Sequence, residues 1–134
     1  MARLLNKSIE AVQHDRLGVA REFAASHRVH VVLKGHRTIV ASPEGKTFVN
    51  LTGNAGMATG GTGDLLTGII AAWFAQLLDA EAACKLAVYL HGMAGDLAEA
   101  DEGDVAMTSA DVAGHLGDAI MELTARRRVV EKNS

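Results

Sequence analysis

The sequence predicts an α/β protein: a small sheet packed between helices, with a strand, a hairpin and then helices in chain order. Three observations carry this. Val29 to Leu33 is a short β-branched apolar run and reads as a strand buried on both faces. Arg37 to Ala41 and Thr47 to Asn50 flank the turn Ser42-Pro43-Glu44-Gly45-Lys46 and read as an antiparallel hairpin. After residue 64 the pattern is helical throughout. This order is what remains of an α/β sandwich cut in two, and a sheet cut that way exposes an unpaired edge.

The elements follow in order. Ser8 is a suitable N-cap for a helix running to about Ser26, with Ile9, Val12, Leu17, Ala20, Phe23 and Ala24 forming an apolar stripe near a 3.6-residue period. The strand and hairpin come next. A glycine-rich loop then leads into a helix from Asp64 to about Gln76. A second helix, capped by Asp79, extends to about Ala100. The charged loop Asp101-Glu102-Gly103-Asp104 separates it from a last helix that starts near Thr108-Ser109 and carries Val112, Leu116, Ile120 and Leu123 on one face. Residues 126 to 134 form a basic tail without a core pattern and read as frayed. The later helices are rich in small residues, which allow close packing over a sheet.

Composition narrows the class. At 134 residues the chain holds one domain at most, and its 49% apolar content is enough for a core. A net charge of −3 argues against a nucleic-acid surface. The single Cys84 excludes a disulfide framework within one chain, fits a reducing cytosol, and reads as a small buried hydrophobe. No apolar run approaches the roughly 20 residues of a membrane span. Met1 to Glu10 has no extended apolar core of the kind a signal peptide carries. A cytoplasmic protein is the expectation.

The stretch Gly53-Asn54-Ala55-Gly56-Met57-Ala58-Thr59-Gly60-Gly61-Thr62-Gly63-Asp64 is the main functional signal. Glycines let an anion approach the backbone. The unpaired N–H groups and the dipole at a helix start attract that anion. Asp64, in the first turn, places a carboxylate beside a bound phosphate, where it serves as a base on an incoming hydroxyl or holds a metal. The plainer alternative is a flexible loop with a capping Asp. The pattern lacks the Lys-Ser/Thr that ends a Walker loop and the G-x-G-x-x-G spacing of a dinucleotide fingerprint. Lys34, at a strand end before Gly35, suits a nucleotide phosphate or is simply a solvated lysine. His91, mid-helix beside Gly92, reads as a hydrogen-bonded structural histidine. No second ligand stands at metal spacing in that helix. Asp96, five residues on, reads as a local cap or pairing partner. Trp73 reads as core or an interface anchor.

Gly61-Thr62-Gly63-Asp64 resembles the G-x-G-D signature of ribokinase-like kinases. The longer N-x-G-M-A-T-G-G-T-G-D form is similar to one branch, the ADP/ATP-dependent NAD(P)H-hydrate dehydratases, also described as the YjeF C-terminal domain. Lys34-Gly35-His36-Arg37-Thr38 fits its K-G-x-x-T. Tyr89 to Asp96 fits its Y-L-H-G-x-A-G-D, and Thr108-Ser109-Ala110-Asp111 fits the start of its last helix. The likeness runs from Met1 to about Ile120. It implies a ribokinase-like α/β/α sandwich of which residues 1 to 125 are the C-terminal part. The family carries an H-P-G-E segment just before the stretch that Met1 to Leu5 resembles, so Met1 is expected to match an internal position.

The resemblance further implies nucleotide-dependent dehydration of hydrated NADH or NADPH. ADP or ATP is the co-substrate, ADP being favoured, and Mg²⁺ accompanies the nucleotide. Lys34, Gly35, His36, Arg37, Thr38, Asn54, Gly60, Gly61, Thr62 and Gly63 are carried over as nucleotide contacts, His36 and Arg37 through their backbone. Gly56, Met57 and Thr59 belong to the same loop, Met57 more simply as packing. Asp64 is carried over as the catalytic base and a substrate contact, and no protein metal ligand is implied. A homo-oligomer is expected, with no nucleic acid or membrane partner. The alternatives are a ribokinase-type small-molecule kinase, which needs the same loop and aspartate, and a catalytically inactive fragment.

Overall fold

The computed structural model describes residues 1–132. The first helix, α1, spans Ala2–Leu5 and ends at Asn6 in a left-handed conformation, φ 50°. Helix α2 (Ile9–His14) starts at Ser8, whose hydroxyl accepts the Ala11 N–H, as the sequence predicts. The helix expected to run on to Ser26 is broken. Asp15 leaves helical geometry and its carboxylate accepts the Gly18 N–H at 2.9 Å, opening α3 (Arg16–His27). A Cβ at residue 18 would stand 2.1 Å from that carboxylate, so glycine there admits the cap. Local side-chain bonding has overridden an otherwise continuous apolar stripe.

Three strands form an antiparallel sheet in the order β1 (Val31–Leu33), β2 (Ile39–Ala41), β3 (Thr47–Val49). Each is shorter than expected. Val29 and His30 precede β1, and Arg37, at φ 56°, lies in the turn before β2. Alternation decides what each face meets. Val31, Ile39 and Ala41 pack on Ala20 and Ala24 of α3. Val40, in register with Val32 and Phe48, faces Leu66, Ile69, Cys84, Ala87 and Val88 on the other side. Val31 is buried, but Val32 and Leu33 are only half-buried, so β1 falls short of the two-sided burial expected. The layers are helix, sheet, helix, as expected of part of an α/β sandwich, with β1 and β3 as open edges among the described residues.

A 3₁₀ turn (Ala55–Ala58) leads to α4 (Thr62–Leu77), which begins two residues earlier than Asp64. Asp79 accepts the Ala82 N–H and caps α5 (Ala80–Glu102), the central helix. One side of α5 joins the sheet through Cys84, Ala87 and Val88. The other carries Leu90, Met93, Ala94 and Ala98 onto Met107, Val112 and Ala119. The final helix is also broken. α6 (Ser109–Gly114) stops at His115 and α7 (Leu116–Lys132) restarts. The break shifts the buried face by one position: Ala119 is fully buried while Ile120 is 40% exposed. Residues 126 to 132, expected to fray, continue α7, and Asn133 and Ser134 lie outside the described residues. Among the described residues no helix is long and apolar enough to cross a membrane.

Candidate functional site

The glycine loop is fastened to one stripe of α5. Residues 88, 91, 92, 95 and 96 share a helix face. Where the loop crosses, at residues 91, 92, 95 and 96, the side chains are absent or polar, while Val88 packs into the core. A Cβ on Gly92 would meet Thr52 Oγ1 at 2.2 Å and the Thr52 carbonyl carbon at 2.7 Å. One on Gly95 would meet Met57 Sδ at 2.3 Å. The glycines of Y-L-H-G-x-A-G-D therefore let residues 52–57 lie directly on the helix. Polar groups then set the register. Asn50 Nδ2 donates to the carbonyls of Thr52 and Val88, and Thr52 Oγ1 donates to the Tyr89 carbonyl at 2.9 Å. Asp96 accepts the Gly53 N–H at 2.9 Å, and Asn54 Nδ2 donates to the Gly95 carbonyl and to Asp96. Rather than capping locally, Asp96 reaches 43 residues back along the chain.

The loop ends at the start of α4. Gly61 takes φ 86°, a conformation that favours glycine, and a Cβ there would stand 2.7 Å from Ser109 Oγ. Thr62 is buried and its hydroxyl is shared between the carbonyls of Met57 and Thr59, closing the loop on itself. Beneath it, buried His91 makes a 2.9 Å bond from Nε2 to the Thr62 carbonyl. Donating there requires Nε2 to carry hydrogen, which neutral imidazole supplies. Burial pushes the His91 pKa down and the Lys34 charge adds to this, against the opposing pull of the Thr62 bond. The structural reading of His91 fits this geometry.

The second wall is the turn between β1 and β2. Gly35 (φ 139°) and Arg37 (φ 56°) both take positive φ, and Thr38 Oγ1 donates to the Gly35 carbonyl. Lys34 Nζ stands 2.9 Å from where a Cβ of Gly63 would be, so the ammonium lies at the first turn of α4. Helices α2, α3 and α5 start under a Ser or Asp side chain, whereas α4 starts with no side-chain cap.

The two walls enclose a cleft of about 640 Å³. Lys34, Gly35, His36, Arg37, Thr38, Asn54, Met57, Thr59 and Thr62 line it. Asn50, Thr52, Leu66, Val88 and His91 join them, five residues that the sequence alone does not place there. Gly60, Gly61, Gly63 and Asp64 are not in its lining. Asp64 is exposed one residue past Gly63. The helical spacing of residues 88, 91 and 92, which line the cleft, is a usable signal for its floor. Asn50 and Thr52 have none, because they sit on irregular chain. Among the described residues no group of three or more His, Cys, Asp or Glu is placed to hold a metal ion.

Comparison with known proteins agrees with the loop motif. A profile of the NAD(P)H-hydrate dehydratase family matches residues 1–117. The chain is 42% identical over 123 residues to a bifunctional NAD(P)H-hydrate repair enzyme Nnr of Thermofilum pendens, covering 92% of this chain and 24% of that protein. It is 48% identical over 103 residues to an ADP-dependent (S)-NAD(P)H-hydrate dehydratase of Neisseria meningitidis, covering 76% of this chain and 34% of that one. An ADP/ATP-dependent NAD(P)H-hydrate dehydratase of Bacillus subtilis, crystallised with ATP and Mg²⁺ and soaked with CoA, superposes with a TM-score of 0.85 at 34% identity, over 90% of this chain and 45% of that chain. The chain thus spans about a quarter to a third of these two curated relatives and under half of the solved structure. The matched span, the glycine loop and the superposed fold together establish that this chain belongs to the NAD(P)H-hydrate dehydratase family.

Proposed function

We propose that the cleft takes the phosphates of ADP or ATP, ADP being favoured, and serves the dehydration of hydrated NADH or NADPH. The observation that carries this is the meeting of the Lys34 ammonium with the uncapped start of α4. Free N–H groups, the helix dipole and a fixed cation then act on one anion. Lys34, Gly35, Thr38 and the backbones of His36 and Arg37 form one wall. The Asn54 segment, Thr59 and Thr62 form the other, and the backbone of Gly60, Gly61 and Gly63, outside the lining, adjoins it at the start of α4. The Asn54 amide nitrogen and the Thr62 hydroxyl are engaged within the protein and hold the loop in shape, while Asn54 Oδ1 is buried without a protein partner.

In the reaction, the hydroxyl of the hydrated nicotinamide attacks the terminal phosphorus. An O–P bond forms, the P–O bond to the remaining nucleotide breaks, and Asp64 accepts the hydroxyl proton. Gly61 to Gly63 supply donors to the phosphoryl oxygens in flight. Phosphate then leaves with the former hydroxyl oxygen, a ring proton is lost, and the ring double bond returns. With no cluster of protein ligands for a metal among the described residues, Mg²⁺ fits as an ion carried by phosphate oxygens and water, neutralising charge there. The ribokinase-type kinase alternative is less well supported, since it leaves the Tyr89–Asp96 motif and the family match unexplained. The chain acts in the cytoplasm, which suits its one buried free thiol. Copies associate through open sheet edges.

Hydrogen exchange with and without ADP or ATP tests the shared site. The Lys34–Thr38 turn and the Gly53–Gly63 loop are expected to gain protection together. Protection of one segment alone would overturn the two-walled site.

A further inference from the structure

We infer that Arg16 is a positioning residue that shapes the Lys34–Thr38 wall for a phosphate; this rests on the nucleotide reading above. Arg16 opens α3, seventeen to twenty residues before the turn it contacts. Its Nη1 donates to the His36 carbonyl, and its Nη2 to the carbonyls of Leu33 and Lys34 at 3.2 Å each. The planar fork of guanidinium donors suits three acceptors that converge from one turn. Gly35 makes room for it: a Cβ there would stand 2.9 Å from Nη2. Of the two positive-φ residues, Gly35 lies within the clamped span and Arg37 directly follows it.

The direction of these bonds matters. No peptide bond of the turn is cis, and in a trans peptide the N–H points opposite to the C=O. Holding the carbonyls of Leu33, Lys34 and His36 on the α3 side turns the N–H groups of Lys34, Gly35 and Arg37 away from α3. Those same residues line the cleft. Arg16 thereby orients backbone donors toward the anion and steadies the base of the Lys34 side chain, without touching the ligand. No lining role is needed for it, and Arg16 is absent from the cleft wall.

The test uses the full chain with ADP and ATP as titrants, and four variants, of which Lys34→Ala is the positive control. Arg16→Gln should weaken nucleotide binding by roughly tenfold or more, the loss of charge-assisted bonds that hold the turn. Arg16→Lys should fall between, since one ammonium cannot serve three carbonyls in a plane. Arg21→Gln, an exposed arginine on the same helix, should leave affinity unchanged. Hydrogen exchange supplies the readout that a general loss of stability would not give: residues 34–38 of Arg16→Gln should exchange faster while the core of α5 keeps its rate. If Arg16→Gln fails to fold, Arg16→Lys carries the same comparison. Full affinity in either folded Arg16 variant, with Lys34→Ala weakened, would overturn the positioning role alone. Failure of the unaltered chain to bind either nucleotide would overturn the nucleotide reading itself.

Discussion

Asp64 and His91 sit two residues and one hydrogen bond from Thr62, and their surroundings assign them different work. Asp64 is exposed at the first turn of α4, free to meet a substrate hydroxyl. In an intact dehydratase carrying this sequence, Asp64→Asn should lower turnover by about 10²- to 10⁴-fold, the usual weight of a general base. Its nucleotide affinity should stay near normal, because the proposed phosphate contacts, the glycine loop and Lys34, are unaltered. Steady-state turnover on hydrated NADH beside ADP titration checks both halves; a variant keeping most of its activity would remove Asp64 from the base role. His91 is instead a pH-sensitive pin. Its folded pKa lies below the ordinary 6.5, so between the two values the unfolded chain binds more protons and stability rises with pH. The contribution is whole above 6.5 and is lost as pH falls through the folded value. Urea midpoints measured from pH 8 down to 5 should drop on the acid side, and His91→Leu should flatten that limb while lowering the neutral midpoint, since it removes the buried bond that ties α5 to the Thr62 carbonyl. Of these two residues, Asp64 was legible in a motif. The anchoring bond of His91 was not, because its partner lies 29 positions away.

Helix propensity and tertiary packing give opposite expectations for two glycines, and magnitudes decide between them. Gly68 lies inside α4, and a methyl added there would find nothing within 4 Å. Gly68→Ala should therefore stabilise by roughly 0.8–1.0 kcal/mol, the plain propensity difference. Gly92 lies inside α5, where the same gain is available but a methyl would run into Thr52 Oγ1 at 2.2 Å and its backbone carbonyl carbon at 2.7 Å. Overpacking of this kind costs about 1–3 kcal/mol, so Gly92→Ala should be a net destabiliser and should displace the stretch of chain that carries Thr52 and Gly53. Chemical denaturation of both variants gives the two signs. A stabilised Gly92→Ala would mean that the loop does not rest on α5 as described. Element type was readable for every strand, from a β-branched run and turn residues, and for α4 and α5 from their helical pattern and the Asp79 cap. The breaks at Asp15 and His115 were not, since each depends on a local bond or kink inside an unbroken apolar stripe. The start of α4 was missed for a related reason. Gly61, not the aspartate, occupies the cap position.

At the scale of the molecule, the sandwich was visible in the order of strand, hairpin and helices, and the edges of its sheet follow from the same order. β2 is paired on both sides, while β1 and β3 each have one free side among the described residues. The two edges differ. β3, Thr47-Phe48-Val49, starts at a polar residue beside Lys46 of its turn, the kind of flank that discourages pairing. β1, Val31-Val32-Leu33, is apolar throughout, with its flanking charge, Lys34, after the strand and 40%-exposed Val29 before His30. Leu4, Ile9, Leu51 and Leu78 add further exposed apolar surface. An apolar edge strand of this kind pairs with another strand when one is at hand. The chain should accordingly scatter light as a species heavier than its 14.1 kDa monomer and shift toward monomer on dilution. Amides of β1 should exchange faster as the sample is diluted, while those of α5 hold their rate. Because apolar contact and backbone pairing drive the contact, added salt should not dissolve the larger species, whereas an assembly held by surface ion pairs would loosen. A monomer at every concentration, with slow exchange already at β1, would show that the edge is not an association surface.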